Sequence, residues 1–137
     1  MEKKKVYFTI DDDSDDQLFL IEALTKNDSN IECFTAWNGK EALRDLKNST
    51  VPFPDIIFLD LNMPQTNGKQ FLSEIKSTLF LCEIPVIIYS TSSYKNEIQE
   101  CLKLGAFSFM TKKSSFHELR QELFHIIAQI NILKEAE

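Results

Sequence analysis

Short apolar runs alternate along this chain with stretches in which apolar residues recur every three or four positions. KVYFTI (5–10) is β-rich, and in DDQLFLIEALTK (15–26) Leu18, Ile21 and Leu24 fall at helical spacing. Ser14 with Gln17 predicts a capping box in front of that helix. IECFTA (31–36) reads as a second strand and GKEALRDLKN (39–48) as a second helix, with Asn38 as N-cap and Glu41 three residues on. DIIFLD (55–60) is a nearly continuous apolar run ending in an acid, and KQFLSEIKS (69–77) is amphipathic. IPVIIYS (84–90) is the next buried strand, SYKNEIQECLKLG (93–105) a helix closed by Gly105, and AFSFMT (106–111) the fifth strand. The last helix, 114–136, is apolar at Phe116, Leu119, Leu123, Ile126, Ile130 and Leu133. NDSN (27–30), STVPFP (49–54) and NMPQTNG (62–68) carry turn chemistry.

Five strands alternating with five helices predict an α/β fold built from βαβ units, a doubly wound parallel sheet. IIFL and VIIY are apolar on both faces, as strands covered from both sides must be. Right-handed connections and the flavodoxin-like strand order 2-1-3-4-5 follow, with a ligand crevice at the carboxyl ends of strands 1 and 3. A chain of 137 residues suits a single domain, residues 1–137 with a core at about 5–130.

That crevice gathers the chemistry. Five aspartates occupy six positions from Asp11 to Asp16. Asp11 and Asp12 end the first strand, Asp60 the third and Ser90 the fourth, and Lys112 follows the fifth. Two carboxylates ~4 Å apart repel by about 4 kcal/mol at an effective dielectric near 20. A helix N-terminus relieves only ~0.3–1 kcal/mol per charge, and Lys112 neutralises one acid of several. The remainder must come from protonation or from a cation. Oxygen-only ligands with water access favour Mg²⁺, which commonly takes one or two carboxylates plus phosphate oxygens. Asp60, on the central strand beside the metal, is the best candidate to be phosphorylated directly as an acyl phosphate. The metal, Lys112 and Ser90 would then hold the phosphoryl oxygens. Asp13, Asp15 and Asp16 have a blander explanation, since acids in a helix's first turn are favoured by its dipole.

Charge and composition narrow the partners. The net charge of −6 disfavours direct nucleic-acid binding. VYFTI is too short for a signal peptide, and nothing approaches a membrane span. Cys33, Cys82 and Cys101 show no metal-like spacing and read as reduced packing thiols of a cytoplasmic protein.

The set IDDDSDD, IIFLDLNMPQTNG, IPVIIYSTSS and GAFSFMTK resembles the receiver domain of two-component response regulators over about residues 5–130. The resemblance implies that Asp60 is the phosphoacceptor. It implies that Asp12, Asp60 and the Asn62 backbone carbonyl ligate Mg²⁺ (or Mn²⁺) directly, with Asp11 acting through water. Ser90 corresponds to the switch hydroxyl, Lys112 to the phosphate-contacting lysine and Phe109 to the aromatic switch. A sensor histidine kinase or histidine phosphotransfer protein would be the donor. The face formed by helix 4, strand 5 and helix 5 would meet an unknown downstream protein. With no output domain after the last helix, the expectation is a stand-alone regulator, not an enzyme, that assists its own aspartyl phosphorylation and dephosphorylation. The chain departs from the family at Lys113, where a proline usually stands; a non-proline cis bond costs ~2.5–4 kcal/mol, which favours trans.

Other readings are weaker. Asp11 to Glu22 nearly fits a calcium loop, but Asp16 stands where that loop needs glycine and a strand precedes it. IDDDSDD brushes the pattern of aspartate-based phosphatases, but Asp15 sits where Thr or Val is required. A flavin-binding flavodoxin would need a first loop that welcomes phosphate. HELR (117–120) is similar to a kinase's phosphorylated histidine motif but lacks its Thr-Pro, so His117 reads as a surface residue. The near-heptad stripe of the last helix could serve a homodimer, though such stripes more often face one domain's core. An unphosphorylated adaptor that kept the fold and lost the chemistry is the remaining alternative.

Overall fold

β-branched and aromatic runs pair as parallel strands here, and the central ones bury both faces. The computed structural model describes residues 3–63, 66–92 and 94–136. Strands β1 (Lys5–Ile10), β2 (Ile31–Ala36), β3 (Ile56–Leu59), β4 (Val86–Ser90) and β5 (Ser108–Thr111) form one parallel sheet in the order 2-1-3-4-5. Helices α1 (Ser14–Asn27), α2 (Gly39–Lys47), α3 (Gly68–Ser77), α4 (Lys95–Lys103) and α5 (Phe116–Glu135) alternate with the strands. The expected flavodoxin-like architecture is the observed one. Among the described residues, no helix is long and apolar enough to cross a membrane.

Successive side chains of each strand go to opposite faces. Phe8, Ile10, Ile57, Leu59 and Ile88 pack with Ala42, Leu46, Phe71, Leu72, Ile75 and Cys101. Tyr7, Phe58, Ile87, Tyr89 and Met110 pack with Leu20, Leu24, Leu119, Leu123 and Ile126. The second set belongs to α1 and α5, the first to α2, α3 and α4.

The ends of the elements differ from the sequence expectation where polar side chains take over. Asp55 lies outside β3 because its carboxylate accepts from the Val6 N–H at 2.8 Å. Ile84 closes a 3-10 turn, Leu81–Glu83, so β4 starts only at Val86. The cap of α1 is Asp13, whose carboxylate accepts from the Asp15 and Asp16 N–H groups, so the Ser14–Gln17 capping box does not form. Leu18 is 57% exposed, and the buried positions of α1 are Gln17, Leu20, Ala23 and Leu24. A glutamine with buried partners holds the inward slot and rotates the predicted stripe. In α5 the buried series ends at Ile130, and Leu133 is exposed. The expected α2 cap is present: Asn38 accepts from the Glu41 N–H at 2.8 Å. The loop after Asp60 holds a two-residue antiparallel ladder, Asn62–Met63 with Thr66–Asn67; Pro64 and Gln65 of the predicted turn lie outside the described residues.

α3 begins close against this loop. A Cβ at Gly68 would stand 2.9 Å from the Leu61 Cα and 3.3 Å from the Asp60 carbonyl oxygen, both backbone atoms that cannot turn aside. Gly68→Ala should therefore lower stability in urea unfolding by about 1–3 kcal/mol, the usual range for overpacking. An unchanged midpoint would show that the loop yields freely.

Candidate functional site

Register creates the pocket. Ile10 pairs with Leu59 in the ladder, so Asp11 and Asp60 leave adjacent strands side by side. The Asp60 N–H donates to the Ile10 carbonyl at 2.9 Å, and the Asp11 N–H to the Ala36 carbonyl at 3.2 Å. Asp11 and Asp60 are buried and Asp12 is exposed. One carboxylate oxygen from each of the three lies within 4.8 Å of the others.

Ser90 pairs with Thr111 at the end of the β4–β5 ladder. One residue later the Lys112 N–H donates to the Ser90 carbonyl at 2.7 Å. The Lys112 side chain passes over the Tyr89 ring, with Nζ 5.6 Å from its centroid. Nζ reaches Asp11 Oδ2 at 2.9 Å, Asp16 Oδ2 at 2.8 Å and Asp60 Oδ2 at 3.7 Å. The Lys112–Lys113 bond is trans. Asn62 links the two halves of the pocket. Its backbone N–H donates to Asp60 Oδ1 at 3.2 Å, and its side-chain amide donates to Ser90 Oγ at 3.1 Å and Thr91 Oγ1 at 3.0 Å. Phe109 stands apart: it pairs with Ile88, two residues before Ser90, and packs half-buried against the α2–α3–α4 side of the core.

Three residues that matter here were assigned other jobs, or none, in the sequence. Gln17 donates to the Asp11 and Ala36 carbonyls at 2.7 and 2.9 Å, and its carbonyl oxygen accepts from Thr9 Oγ1 at 2.9 Å. It thus pins β1 to β2 under the aspartates. Asp16 does more than complement the helix dipole, because it pairs with Lys112. Tyr89 lies beneath that lysine.

Burial drives the electrostatics. Desolvation pushes the Asp60 carboxyl up to about 6; the neighbouring Asp11 charge adds to the rise, and Lys112 opposes it. Burial works against the charge on Lys112, but hydrogen bonds to Asp16 and Asp11, with the nearby Asp60 charge, outweigh it and hold the ammonium above the usual lysine range. Burial likewise pushes the Tyr89 phenol up to about 12, so it stays neutral. The Lys112 ammonium thus faces Asp11, Asp16 and Asp60, and Asp12 adds a further carboxylate beside Asp11 and Asp60. The Asp11–Asp12–Asp60 donor set is all carboxylate oxygen, without thiolate or imidazole, which suits a hard divalent cation.

A flavodoxin-like sheet whose switch-point crevice repels a bare anion and suits a cation defines a narrow class. The chain belongs to the response regulator receiver domain family, whose sequence model matches residues 8–124. It is 38% identical over 135 residues to a protein-glutamate methylesterase/protein-glutamine glutaminase of Clostridium acetobutylicum. That match covers 96% of this chain but only 37% of the methylesterase. The crystal structure of the phosphorylated cyanobacterial phytochrome response regulator RcpA superposes with a TM-score of 0.81 at 32% identity, covering 90% of this chain and 91% of RcpA. The Mn²⁺-bound form of response regulator Rcp1 superposes at 0.78 with 26% identity, covering 85% and 90% of the two chains.

The raised Asp60 carboxyl has a consequence for stability. The folded state holds this proton more tightly than the unfolded chain, so the group's stabilising contribution is full below about pH 4 and lost as pH rises through about 6. Asp60→Asn should thus stabilise the metal-free protein by about 1–3 kcal/mol at pH 8, with the gain shrinking toward pH 4. Denaturant unfolding across that range checks it, and a pH-independent difference would remove burial of the charge as the cause.

Proposed function

We propose that this receiver is a phosphoacceptor of a two-component system in the cytoplasm. An Asp60 carboxylate oxygen attacks the phosphorus of a phosphohistidine on a sensor histidine kinase or histidine phosphotransfer protein. The P–N bond breaks and an acyl phosphate forms on Asp60. Asp12, Asp60 and the Asn62 backbone carbonyl would hold Mg²⁺ (or Mn²⁺), with Asp11 acting through water. The ion, when bound, supplies positive charge against the phosphoryl oxygens. Lys112 holds one of those oxygens and Ser90 another. As the Ser90 hydroxyl moves toward the phosphoryl group it vacates space, Phe109 turns inward, and the face of α4, β5 and α5 changes its affinity for a downstream protein. The chain acts through that contact as a single domain and assists its own phosphorylation and dephosphorylation without being an enzyme for another substrate.

One observation carries this reading: the Lys112 ammonium stands 3.7 Å from Asp60, which itself lies within 4.8 Å of Asp11 and Asp12 oxygens. The arrangement is a carboxylate nucleophile with a cation on one side and a donor set for a cation on the other. An adaptor without the chemistry would gain nothing from keeping such mutual repulsion.

Transfer of labelled phosphate from a phosphohistidine donor checks the proposal. Label should reach the wild-type chain in Mg²⁺ and fall by at least about 100-fold in Asp60→Asn or after EDTA, as for loss of a nucleophile or of its charge stabilisation. Equal labelling of Asp60→Asn would exclude Asp60 as the acceptor.

A further inference from the structure

Asp16 has no part in the reading above, yet its contact to the Lys112 ammonium, at 2.8 Å, is the shortest of that group's three. It sits in the first turn of α1, where Asp13 caps the helix and accepts from the Asp16 N–H at 3.1 Å. That cap fixes the backbone, and the short side chain leaves the carboxylate few places to go. Lys112 presents the opposite case: a flexible four-carbon stem that loses much rotamer freedom when its tip is immobilised. Its backbone is tied to Ser90 and its stem passes over Tyr89, but the hydrogen bonds that locate its tip come from the carboxylates of Asp11 and Asp16.

An ammonium has three N–H donors. Two are taken, by Asp11 and Asp16. The remaining neighbour, Asp60 at 3.7 Å, is too far for a hydrogen bond, and the gap leaves reach for an oxygen carried on Asp60. We infer that Asp16 is a positioning residue for Lys112, sharing the ammonium with Asp11 so that its third donor is kept for a phosphoryl oxygen on Asp60. This rests on the phosphoacceptor reading of the pocket.

A contrary effect makes the direction informative. The negative charge of Asp16 also repels a bound phosphoryl group, so an acid acting only through its field would weaken anion binding, and its removal would tighten it. The Asp16 side chain is 39% exposed, and water screens such a field. Orientation of a 9%-exposed lysine is not screened in this way, so positioning should win.

The test uses the full chain with beryllofluoride, a phosphoryl mimic, titrated by calorimetry in Mg²⁺. Asp16→Ala should weaken binding about three- to tenfold, the scale of one partly exposed charge-assisted contact. In a Lys112→Ala background the same change should have no further effect, since Asp16 acts through that lysine. The Lys112 ammonium resonance in ¹⁵N-edited NMR of the free protein should broaden in Asp16→Ala as exchange with water speeds up. Unchanged or tighter binding in Asp16→Ala, an equal loss without Lys112, or an unaltered ammonium signal would each overturn the inference. Failure of the wild-type chain to bind beryllofluoride would instead overturn the phosphoacceptor reading beneath it.

Discussion

Carboxylate repulsion at the carboxyl edge of the sheet is the constraint on which the rest of this structure turns. Asp11 and Asp60 emerge from paired strands and are buried, and Asp12 offers a third oxygen to the same small volume. Groups of like charge ~4 Å apart repel by about 4 kcal/mol at an effective dielectric near 20, and they would move apart if the backbone let them. It does not, because both strands are locked between two packed layers. Phe8, Ile10, Ile57 and Leu59 are held on one face, and Tyr7, Ile56 and Phe58 on the other. Moving either aspartate outward would break the ladder hydrogen bond from Asp60 to Ile10 and expose this core. The fold therefore keeps these acids both buried and close; desolvation weighs most on Asp60, the Asp11 charge adds to it, and Lys112 opposes it.

The polar residues around the site divide between holding the strand ends and bridging them. Gln17 is the clearest example of the first. Its amide donates to two carbonyls at the ends of β1 and β2; a leucine would forfeit both bonds and leave the Ala36 carbonyl with only the Asp11 N–H, and lost buried hydrogen bonds are costly. Asn62 is an example of the second. It touches Asp60 with its backbone and Ser90 and Thr91 with its side chain, so it bridges Asp60 to the end of β4 without crossing the core. Phe109 lies two residues further down the β4–β5 ladder, against the opposite layer of the core from α1 and α5.

The alternation of runs made the five strands, their order and the gathering of Asp11, Asp12, Asp60, Ser90 and Lys112 legible from the chain alone. That part of the fold is set by hydrophobic period and by the rule that crevices open at carboxyl ends of parallel strands. The first helix lies where its spacing predicts, but the face it buries does not, and the reason is physical. Counting apolar residues placed Leu18 inside, but the inward face begins at Gln17, a polar residue whose three buried partners lie on β1 and β2 and just after β1. No periodicity of hydrophobicity can show a polar side chain that is wanted inside. Asp16 was hidden differently. An acid in a first helical turn needs no explanation beyond the dipole, and its partner lies 96 residues away.

The two side chains share a turn, and that bears on how the pocket is held. Gln17 and Asp16 are neighbours on one helical turn, one reaching inward to the strand ends and the other across to Lys112. α1 also packs on α5 through Phe19 against Phe116, whose rings meet edge to face at 5.5 Å. Phe116 opens α5 only a few residues after Lys112. α1 thus bears on the lysine twice: directly at its ammonium, which it shares with Asp11, and through the segment that follows it. A pocket whose acids belong to the sheet and whose cation is steadied by α1 has two parts that can move relative to each other. The sheet is locked by its ladders, whereas the α1–Lys112 contact is one ion pair with a partly exposed acid. Any rearrangement that accompanies a change of charge on Asp60 should therefore begin on the lysine side, because that is where the restraint is weakest.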